Sequence, residues 1–183
     1  VIDARNKVAF AEGFIPNSIN IQGNNSFATW AGWLLNYQEQ FILIADDAQM
    51  EDLTRKLMRI GLDNVYGYIS DVAETGLPLQ KAEVIDIREF ETLVGKPDVQ
   101  VVDVRGVSEY KAGHVEGADN VFVGTLPWNL DKISKDKQVV IHCQSGDRAS
   151  VAYAILRANG FDKVKNYSGG MKEWTEAGKK VVA

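Results

Sequence analysis

The chain has 183 residues, of which 45% are hydrophobic and 25% charged, the composition of an ordinary globular protein. Its formal net charge of −5 provides no basic face for displacing counterions, so we expect neither nucleic acids nor acidic membranes as partners. Because the sequence has no run of about 18 apolar residues, no basic-then-apolar leader and only one cysteine, we expect a cytoplasmic protein without a membrane span.

The sequence repeats at an interval of 100 residues, which is clearest at Val1–Arg5 and Val101–Arg105. Both segments begin with an apolar pair and carry an aspartate and an arginine two positions apart. Three further pairs keep the same register: Gly13 with Gly113, Ile15 with Val115, and Asn20 with Asn120. The chain therefore contains two copies of one unit.

The predicted elements of the first copy alternate between strands and helices. A strand begins at Val1, a helix carries Trp30 and Trp33, and Phe41–Ile44 forms a second apolar strand. A further helix over about residues 49–60 ends at a glycine. The two tryptophans lie three positions apart on one helix face, which is typical of a core or an interdomain contact.

The two copies meet in a segment around residues 71–81, where Gly76 and Pro78 interrupt the periodic pattern. We predict a first domain over residues 1–76 and a second over residues 77–183.

The second copy shows its predicted elements more completely, in this order: a strand at 83–86, a helix at 88–94, strands at 99–104 and 138–142, and a helix at 149–159. The β-branched run at 138–142 predicts a central strand that is buried on both faces. Apolar residues at three- and four-residue spacing predict one buried face for the helix at 149–159. The alternation predicts an α/β fold in which each copy forms a small parallel sheet flanked by helices.

The strand and helix that open the second copy have no counterpart ahead of Val1. The chain also begins without a methionine, at a residue that the pattern assigns to a strand. We therefore expect the first domain to be truncated at its N-terminus.

Cys143 stands directly after the predicted central strand and before the helix that follows it. Ligands of open α/β sheets bind at the carboxyl ends of strands, and the N–H groups of such a turn, the helix N-terminus and Arg148 favour a thiolate. Gly146 permits a tight loop. We predict an active-site loop at 143–148 with Cys143 as the catalytic residue. The residues predicted to bind substrate are Gln144, Ser145, Gly146, Asp147 and Arg148.

A purely structural role is the alternative for Cys143, because free cysteines are among the most often buried residues. The polar loop that follows it would be a poor core neighbour. In the first copy the matching segment is Ala45–Gln49, which has no cysteine, glycine or arginine. Since the fold tolerates the loss of the thiol there, we interpret Cys143 as functional.

Three further residues are predicted to support the site: Asp103, Arg105 and His114. Asp103 and Arg105 recur in both copies although the thiol does not, which favours a structural ion pair or loop brace. His114 is interpreted as a hydrogen-bonded structural residue, since attack by a preformed thiolate needs no base. With His142 as the only other histidine, the chain lacks a histidine-rich motif that could bind a metal, and we predict no metal site.

Several sequence groups of the second copy carry a resemblance to a known family: Asp103–Arg105, Glu109–Tyr110, Gly113–Ala118, Cys143–Arg148, and Gly169–Met171 with Trp174. Together they resemble the motif set of the rhodanese-family sulfurtransferases. The resemblance implies that the loop cysteine accepts a sulfane sulfur as a persulfide, without metal or organic cofactor. The implied partners are small molecules: thiosulfate or a thiol persulfide as donor, and sulfite, cyanide or a low-molecular-weight thiol as acceptor.

The first copy resembles the same family at Asp3, Arg5 and Gly13–Asn20, but phenylalanine replaces the family's histidine and the loop cysteine is missing. We therefore expect it to be inactive. Residues 25–35 and 45–47 resemble the linker and inactive rhodanese region of certain bacterial fusion proteins. In those fusions a metallo-β-lactamase-fold persulfide dioxygenase precedes two rhodanese domains, so this resemblance implies such an upstream domain and a role in bacterial sulfide and persulfide metabolism.

Two other functions remain open from the residues alone. Cysteine phosphatases need a Cys-x5-Arg loop that encloses a tetrahedral oxyanion, whereas Arg148 gives Cys-x4-Arg here. A persulfide-sensing or regulatory binding module is the other alternative, in which Cys143 would accept sulfur without turnover.

Overall fold

The computed structural model describes residues 1–183, which form two compact units, Val1–Ala82 and Glu83–Ala183. Each unit contains one sheet whose strands all run parallel, with helices beside it. The predicted α/β class with two small parallel sheets is confirmed.

The boundary between the units lies after Ala82, six residues beyond the predicted end of the first domain at residue 76. Backbone hydrogen bonds explain the difference, because Gln80 and Phe14 bind each other at 2.8 and 2.9 Å. The N–H of Ala82 also donates to the carbonyl oxygen of Ala11 at 2.8 Å. The segment after Gly76 therefore belongs to the first unit.

The first unit contains four strands and three helices, followed by a 3₁₀ turn at Val72–Thr75. The elements are β1 (Ile2–Asp3), α1 (Lys7–Glu12), β2 (Ile19–Asn20), α2 (Phe27–Leu34), β3 (Phe41–Ile44), α3 (Asp47–Met58) and β4 (Val65–Ile69). The strand order is β2-β1-β3-β4. The strand that the sequence predicts from Val1 begins at Ile2, and Val1 itself is 39% exposed.

The second unit contains five strands and four helices, with 3₁₀ turns at Val123–Trp128 and Leu130–Lys132. The elements are β5 (Val84–Ile85), α4 (Ile87–Leu93), β6 (Val99–Asp103), α5 (Val107–Ala112), β7 (Asp119–Asn120), β8 (Gln138–His142), α6 (Asp147–Ala158), β9 (Val164–Tyr167) and α7 (Gly170–Glu176). The strand order is β5-β9-β8-β6-β7. This order repeats that of the first sheet and adds β5 beyond β9, where the first sheet has no strand.

The strand β8 occupies the predicted residues and pairs with β6 and β9 on its two sides. The helix after it is more deeply buried than predicted, because every residue from Ala149 to Leu156 is buried. The 3₁₀ turn at Val123–Trp128 contacts α6, and so do β8 and β9. A helix enclosed in this way has no solvent face over that stretch, so the prediction of a single buried face was too narrow.

Hydrophobic cores form within each unit. In the first unit Trp30 packs against a cluster that includes Phe27, Leu43 and Leu57, while Trp33 is 44% exposed. None of the helices combines the length and apolar character that crossing a bilayer requires.

His142 is the last residue of β8 and is fully buried, with its Nε2 atom lacking a hydrogen-bond partner. Burial lowers the pKa of His142, an effect that the nearby Asp103 carboxylate only partly opposes. The folded second unit therefore holds this imidazole in its neutral form at neutral pH.

We expect the second unit to lose stability as the pH falls below about 6.5, the ordinary pKa of histidine. The unfolded chain binds a proton there that folded His142 does not, so the free energy of unfolding decreases by up to about 1.4 kcal/mol per pH unit. Urea titrations between about pH 7.5 and 5.5 measure this decrease in the free energy of unfolding. His142→Ile, which introduces the residue found at Ile44, should flatten the dependence of the free energy of unfolding on pH. If His142→Ile shows the same dependence of the free energy of unfolding on pH as the wild type, His142 is not its cause.

Candidate active site

Cys143 lies at the carboxyl end of β8, in the loop that connects this strand to α6. The residue is 1% exposed, and its Sγ atom accepts the N–H of Gly146 at 3.1 Å. Gly146 has a φ of 93°, in the left-handed region that glycine adopts without strain. The loop therefore closes around the sulfur and presents it with a hydrogen-bond donor.

The N-terminus of α7 binds the carbonyl oxygens of the same loop. The N–H of Met171 donates to the oxygen of Cys143 at 2.8 Å, and the N–H of Lys172 donates to that of Gln144 at 3.0 Å. The first N–H groups of a helix have no partner within it, so they are available for this contact. With both carbonyl oxygens held by α7, the loop presents an N–H group to the sulfur and keeps these carbonyl oxygens on α7.

Gly170 permits this contact because it has no side chain. A Cβ atom there would collide with the carbonyl oxygen of Cys143 and would lie 2.7 Å from that of Gln144. The residue also has a φ of +64°. The helix and the loop can approach this closely only with glycine at the position.

Arg148, in the first turn of α6, binds Glu109 of α5 through both carboxylate oxygens. Its Nη2 donates to Oε1 at 2.8 Å, and its Nη1 donates to Oε2. The Arg148 hydrogen bonds hold the pKa of Glu109 below its usual value, although partial burial works against them. Glu109 also accepts the N–H of Gly106 at 3.2 Å, so this pair joins α6 to the start of α5.

Asp103 and Arg105 form a buried ion pair at the end of β6. The guanidinium binds both carboxylate oxygens at 2.7–3.0 Å and donates to the carbonyl oxygen of Gly113 at 2.7 Å. Its Nη1 reaches Oε1 of Gln144 at 3.4 Å, which connects the pair to the cysteine loop. A buried charge is stable only when it is paired and hydrogen-bonded, as it is here.

The remaining predicted residues occupy different parts of the site. Gln144 and Ser145 are exposed, and Asp147 is half-buried in the first turn of α6. His114 stacks on Tyr110 with ring centroids 3.7 Å apart, and its Nδ1 lies 2.9 Å from the Tyr110 carbonyl oxygen. His114 also pairs through its backbone with Val182, so its contacts hold the C-terminal segment and α5 together.

The first unit repeats the ion pair but not the loop. Arg5 binds Asp3 at 2.6–3.2 Å and the carbonyl oxygen of Gly13 at 2.8 Å. Only Ala45 and Asp46 separate β3 from α3, whereas residues 143–146 separate β8 from α6. The first unit therefore lacks two loop residues in addition to the thiol.

A sequence model of the rhodanese-like domain matches residues 1–74 and again residues 80–177. The two matches correspond to the two units of the structure. The chain belongs to the rhodanese-like domain family.

Curated relatives cover parts of this rhodanese-like chain. YqhL of Bacillus subtilis, an uncharacterised protein, is 35% identical over 88 residues, which are 48% of this chain and 70% of YqhL. The tRNA uridine(34) hydroxylase of Escherichia coli O81 is 33% identical over 122 residues, or 63% of this chain. That match spans only 33% of the hydroxylase.

Solved structures share the rhodanese fold. A thiosulfate sulfurtransferase from Pseudomonas aeruginosa superposes with a TM-score of 0.50 at 15% identity. The superposition covers 99% of this chain and 39% of the sulfurtransferase. At this low identity the likeness shows a shared fold alone. A Rhodopseudomonas palustris protein of unknown function, described as a possible tyrosine phosphatase, has a TM-score of 0.51 at 26% identity. The superposition covers 55% of this chain and 85% of the Rhodopseudomonas palustris chain.

Two contacts of the rhodanese loop were not assigned from the sequence. Glu109 was noted only within a motif, and its bond to Arg148 joins residues that are 39 positions apart. Gly170 was likewise part of a motif without a role. No periodic pattern in the sequence indicates that Gly170 lies against the Cys143 loop, because the contact joins backbone groups of two separate elements.

We expect Gly170→Ala to reduce both the activity that depends on Cys143 and the stability of the second unit, because the new methyl group displaces the loop carbonyls. Gly178→Ala is the matched control: Gly178 has a similar φ of +67° and no atom within 4 Å of a built Cβ. Thermal unfolding and the alkylation rate of Cys143 in both variants measure the effect. Equal behaviour of the two variants would show that the close contact is unimportant.

Proposed function

We propose that this chain is a sulfurtransferase in which Cys143 carries a sulfane sulfur as a persulfide. The main support is the direction of the loop groups around the sulfur: Gly146 donates its N–H to Sγ, and α7 holds the carbonyl oxygens of Cys143 and Gln144. Such a setting stabilises a negatively charged sulfur in both the free and the loaded state. Membership of the rhodanese-like family is consistent with this chemistry.

The proposed reaction has two displacement steps. In the first, the Cys143 thiolate attacks the outer sulfur of thiosulfate or of a thiol persulfide. A new S–S bond forms, and the donor's S–S bond breaks with its electron pair leaving on sulfite or on the thiolate. In the second, sulfite, cyanide or a thiolate attacks the outer sulfur of the Cys143 persulfide, and the Cys143 thiolate leaves. Neither step needs a metal or an organic cofactor.

The acceptor must come from outside the chain. Cys143 is the only cysteine, so its persulfide has no second thiol in the chain with which to form a disulfide. The expected donors and most of the expected acceptors are small anions, for which the loop N–H groups provide hydrogen-bond donors. Arg148 binds such an anion by exchanging one of its two bonds to Glu109 for a bond to the substrate. Turnover is therefore controlled by the supply of a small nucleophile.

The resemblance of residues 25–35 and 45–47 to the dioxygenase fusions supports a finer proposal. In this proposal the chain works in the cytoplasm, next to a metallo-β-lactamase-fold persulfide dioxygenase domain. Sulfite made by such a domain would meet the Cys143 persulfide and form thiosulfate, and the reverse transfer would regenerate a thiol persulfide.

A phosphatase is the second candidate, favoured by the likeness to the Rhodopseudomonas palustris protein. The Cys-x4-Arg spacing opposes it, because an oxyanion with three equatorial oxygens needs a longer loop. Hydrolysis of p-nitrophenyl phosphate that depends on Cys143, without sulfur transfer, would favour the phosphatase. Loading with sulfur but no turnover would favour the sensing module.

We expect Cys143→Ser to abolish sulfur transfer and leave the fold intact, since a hydroxyl is a poor sulfur acceptor. Transfer from thiosulfate to cyanide and from glutathione persulfide to sulfite should both become undetectable. Intact-mass analysis should show a gain of about 32 Da, one sulfur atom, in the wild type only. Circular dichroism checks the fold. Retained transfer in this variant would rule out the mechanism.

The double variant Ala45→Cys with Cys143→Ser tests the loop itself. We expect little or no turnover from a thiol at position 45, because this loop is two residues shorter and lacks an arginine matching Arg148. The same two transfer assays apply. Robust activity of the double variant would mean that the thiol alone suffices.

We expect Arg148→Ala to raise the KM for thiosulfate roughly 10- to 100-fold, as loss of a charge-assisted hydrogen bond costs about 1.5–3 kcal/mol. Arg148→Lys should recover part of the loss, because lysine keeps the charge but not the planar fork. Arg88→Ala, which removes an exposed arginine of α4, is the control. Unchanged KM values in Arg148→Ala would remove this residue from the binding site.

A further inference from the structure

Both terminal nitrogens of Arg148 bind the carboxylate of Glu109 in the structure. Nη2 donates to Oε1 at 2.8 Å and Nη1 donates to Oε2, so the planar fork of the guanidinium faces this carboxylate. The same fork is the part of an arginine that holds two oxygens of a bound anion. Glu109 therefore occupies the position at Arg148 that an anionic sulfur donor would take.

Cys143 lies close enough to this pair for its charge to act on Arg148. The hydrogen bonds to Glu109 raise the pKa of Arg148 most, partial burial lowers it, and the charge of Cys143 raises it further. Both side chains of the pair are partly accessible, with exposed fractions of 20% for Arg148 and 38% for Glu109. An anion that enters from solvent can therefore reach the guanidinium and the carboxylate.

The first unit lacks this pair as well as the thiol. Ala9 stands at the position of Glu109, and Ala48 stands at the position of Arg148 when α3 and α6 are aligned at their first residues. The buried ion pair at the end of the sheet, by contrast, is present in both units. The fold therefore does not require the bond between Glu109 and Arg148, which indicates a role in the chemistry at the cysteine.

Glu109 also has a structural contact, because its Oε2 accepts the N–H of Gly106 at the start of α5 at 3.2 Å. The matching helix of the first unit is capped without an acid: Oδ1 of Asn6 accepts the N–H groups of Val8 and Ala9 at 3.0 Å. A helix cap requires an acceptor oxygen, which an amide supplies as well as a carboxylate does. The negative charge of Glu109 is therefore not needed for the cap.

The charges around the sulfur disfavour a dianion. Arg105 is neutralised by Asp103, and the opposite charges of Asp147 and Lys172 cancel. The ion pair between α5 and α6 is neutral as well, so the Cys143 thiolate leaves the site with one net negative charge. An incoming dianion is therefore repelled and finds no net positive charge to bind.

The two classes of donor differ in the charge that they bring to the sulfur. Thiosulfate is a dianion: the Cys143 thiolate attacks its outer sulfur, the S–S bond breaks, and sulfite leaves with the electron pair. A protonated thiol persulfide has a neutral S–S–H group. Attack on its outer sulfur forms the protonated Cys143 persulfide, and the thiolate of the donor leaves with the electron pair. The charges of the site therefore favour the persulfide as donor.

We propose that Glu109 selects the sulfur donor, so that Cys143 takes sulfur from thiol persulfides in preference to thiosulfate. Glu109 acts through Arg148, whose fork it holds, and is therefore a positioning residue. This inference rests on the proposed sulfurtransferase function and narrows its donors to one class. Removing the charge of Glu109 alone frees Arg148 to bind thiosulfate.

The first test measures the charge preference of Cys143 without any sulfur transfer. The full chain is alkylated with iodoacetate, an anion, and with iodoacetamide, its neutral analogue, and the ratio of the two rates is taken. Because both reagents react with the thiolate, the ratio does not depend on the fraction of thiolate. Glu109→Gln keeps an acceptor for the Gly106 N–H and removes the charge, so it should raise the ratio at least about tenfold. An unchanged ratio would overturn the proposal.

The second test measures the loading of Cys143 with sulfur by intact mass, at rising concentrations of thiosulfate or glutathione persulfide. The wild type should load at least about tenfold faster from glutathione persulfide than from thiosulfate. Glu109→Gln should lower the half-saturating concentration of thiosulfate about tenfold and keep the maximal rate within about twofold of the wild type. A purely structural Glu109 would instead give slower loading from both donors.

Glu91→Gln is the matched control, because it removes a carboxylate of α4 that binds Lys179, and it should load as the wild type does. Loading of the wild type from neither donor would contradict the proposed function, and donor selection with it. Faster loading from thiosulfate, or the same donor preference in Glu109→Gln and the wild type, would overturn donor selection and leave the sulfurtransferase in place.

Discussion

Each unit depends on a buried aspartate at the end of a central strand that is neutralised by an arginine two residues later. Asp3 and Asp103 are fully buried, and a carboxylate in that position is stable only because the guanidinium binds both of its oxygens. An asparagine side chain in each unit, Asn20 or Asn120, then donates to the carbonyl oxygens on both sides of the turn. The carboxyl end of the sheet is thereby held in the same geometry in both units.

This shared brace explains how the two units can differ so much around it. A rigid end of the sheet lets neighbouring loops change in length and composition without loss of the fold. In the second unit four residues between β8 and α6 enclose a sulfur atom, whereas only two residues separate β3 from α3 in the first unit. The two units therefore differ in their loops and in a few side chains, while the end of the sheet is the same.

The sequence predicted the elements whose pattern is local, and it missed contacts between elements. The strand at 138–142 and the α/β class follow from β-branched runs that alternate with helices. The full burial of α6 depends on a 3₁₀ turn packed against it, which no pattern within the helix reveals. The bond between Arg148 and Glu109 likewise arises only once α5 and α6 are side by side.

For Cys143, the sequence offers two alternatives, a buried structural cysteine and a functional one, and the structure shows that these do not exclude each other. A buried cysteine and a functional cysteine were treated as opposites, yet this thiol is 1% exposed and also accepts the N–H of Gly146. The loop provides a hydrogen bond in a buried place, so burial of the thiol does not by itself indicate a purely structural role.

The dependence of the cysteine loop on α7 also has a consequence for synthesis of the protein. The ribosome makes Cys143 before Met171 and Lys172, whose N–H groups hold the loop carbonyls. A nascent chain thus exposes an ordinary thiol, and the oriented loop can form only after β9 and α7 have been translated and folded. Chains that stop short of this helix would contain the cysteine without the N–H groups that hold the loop carbonyls, so premature termination would yield a product whose cysteine loop lacks this orientation.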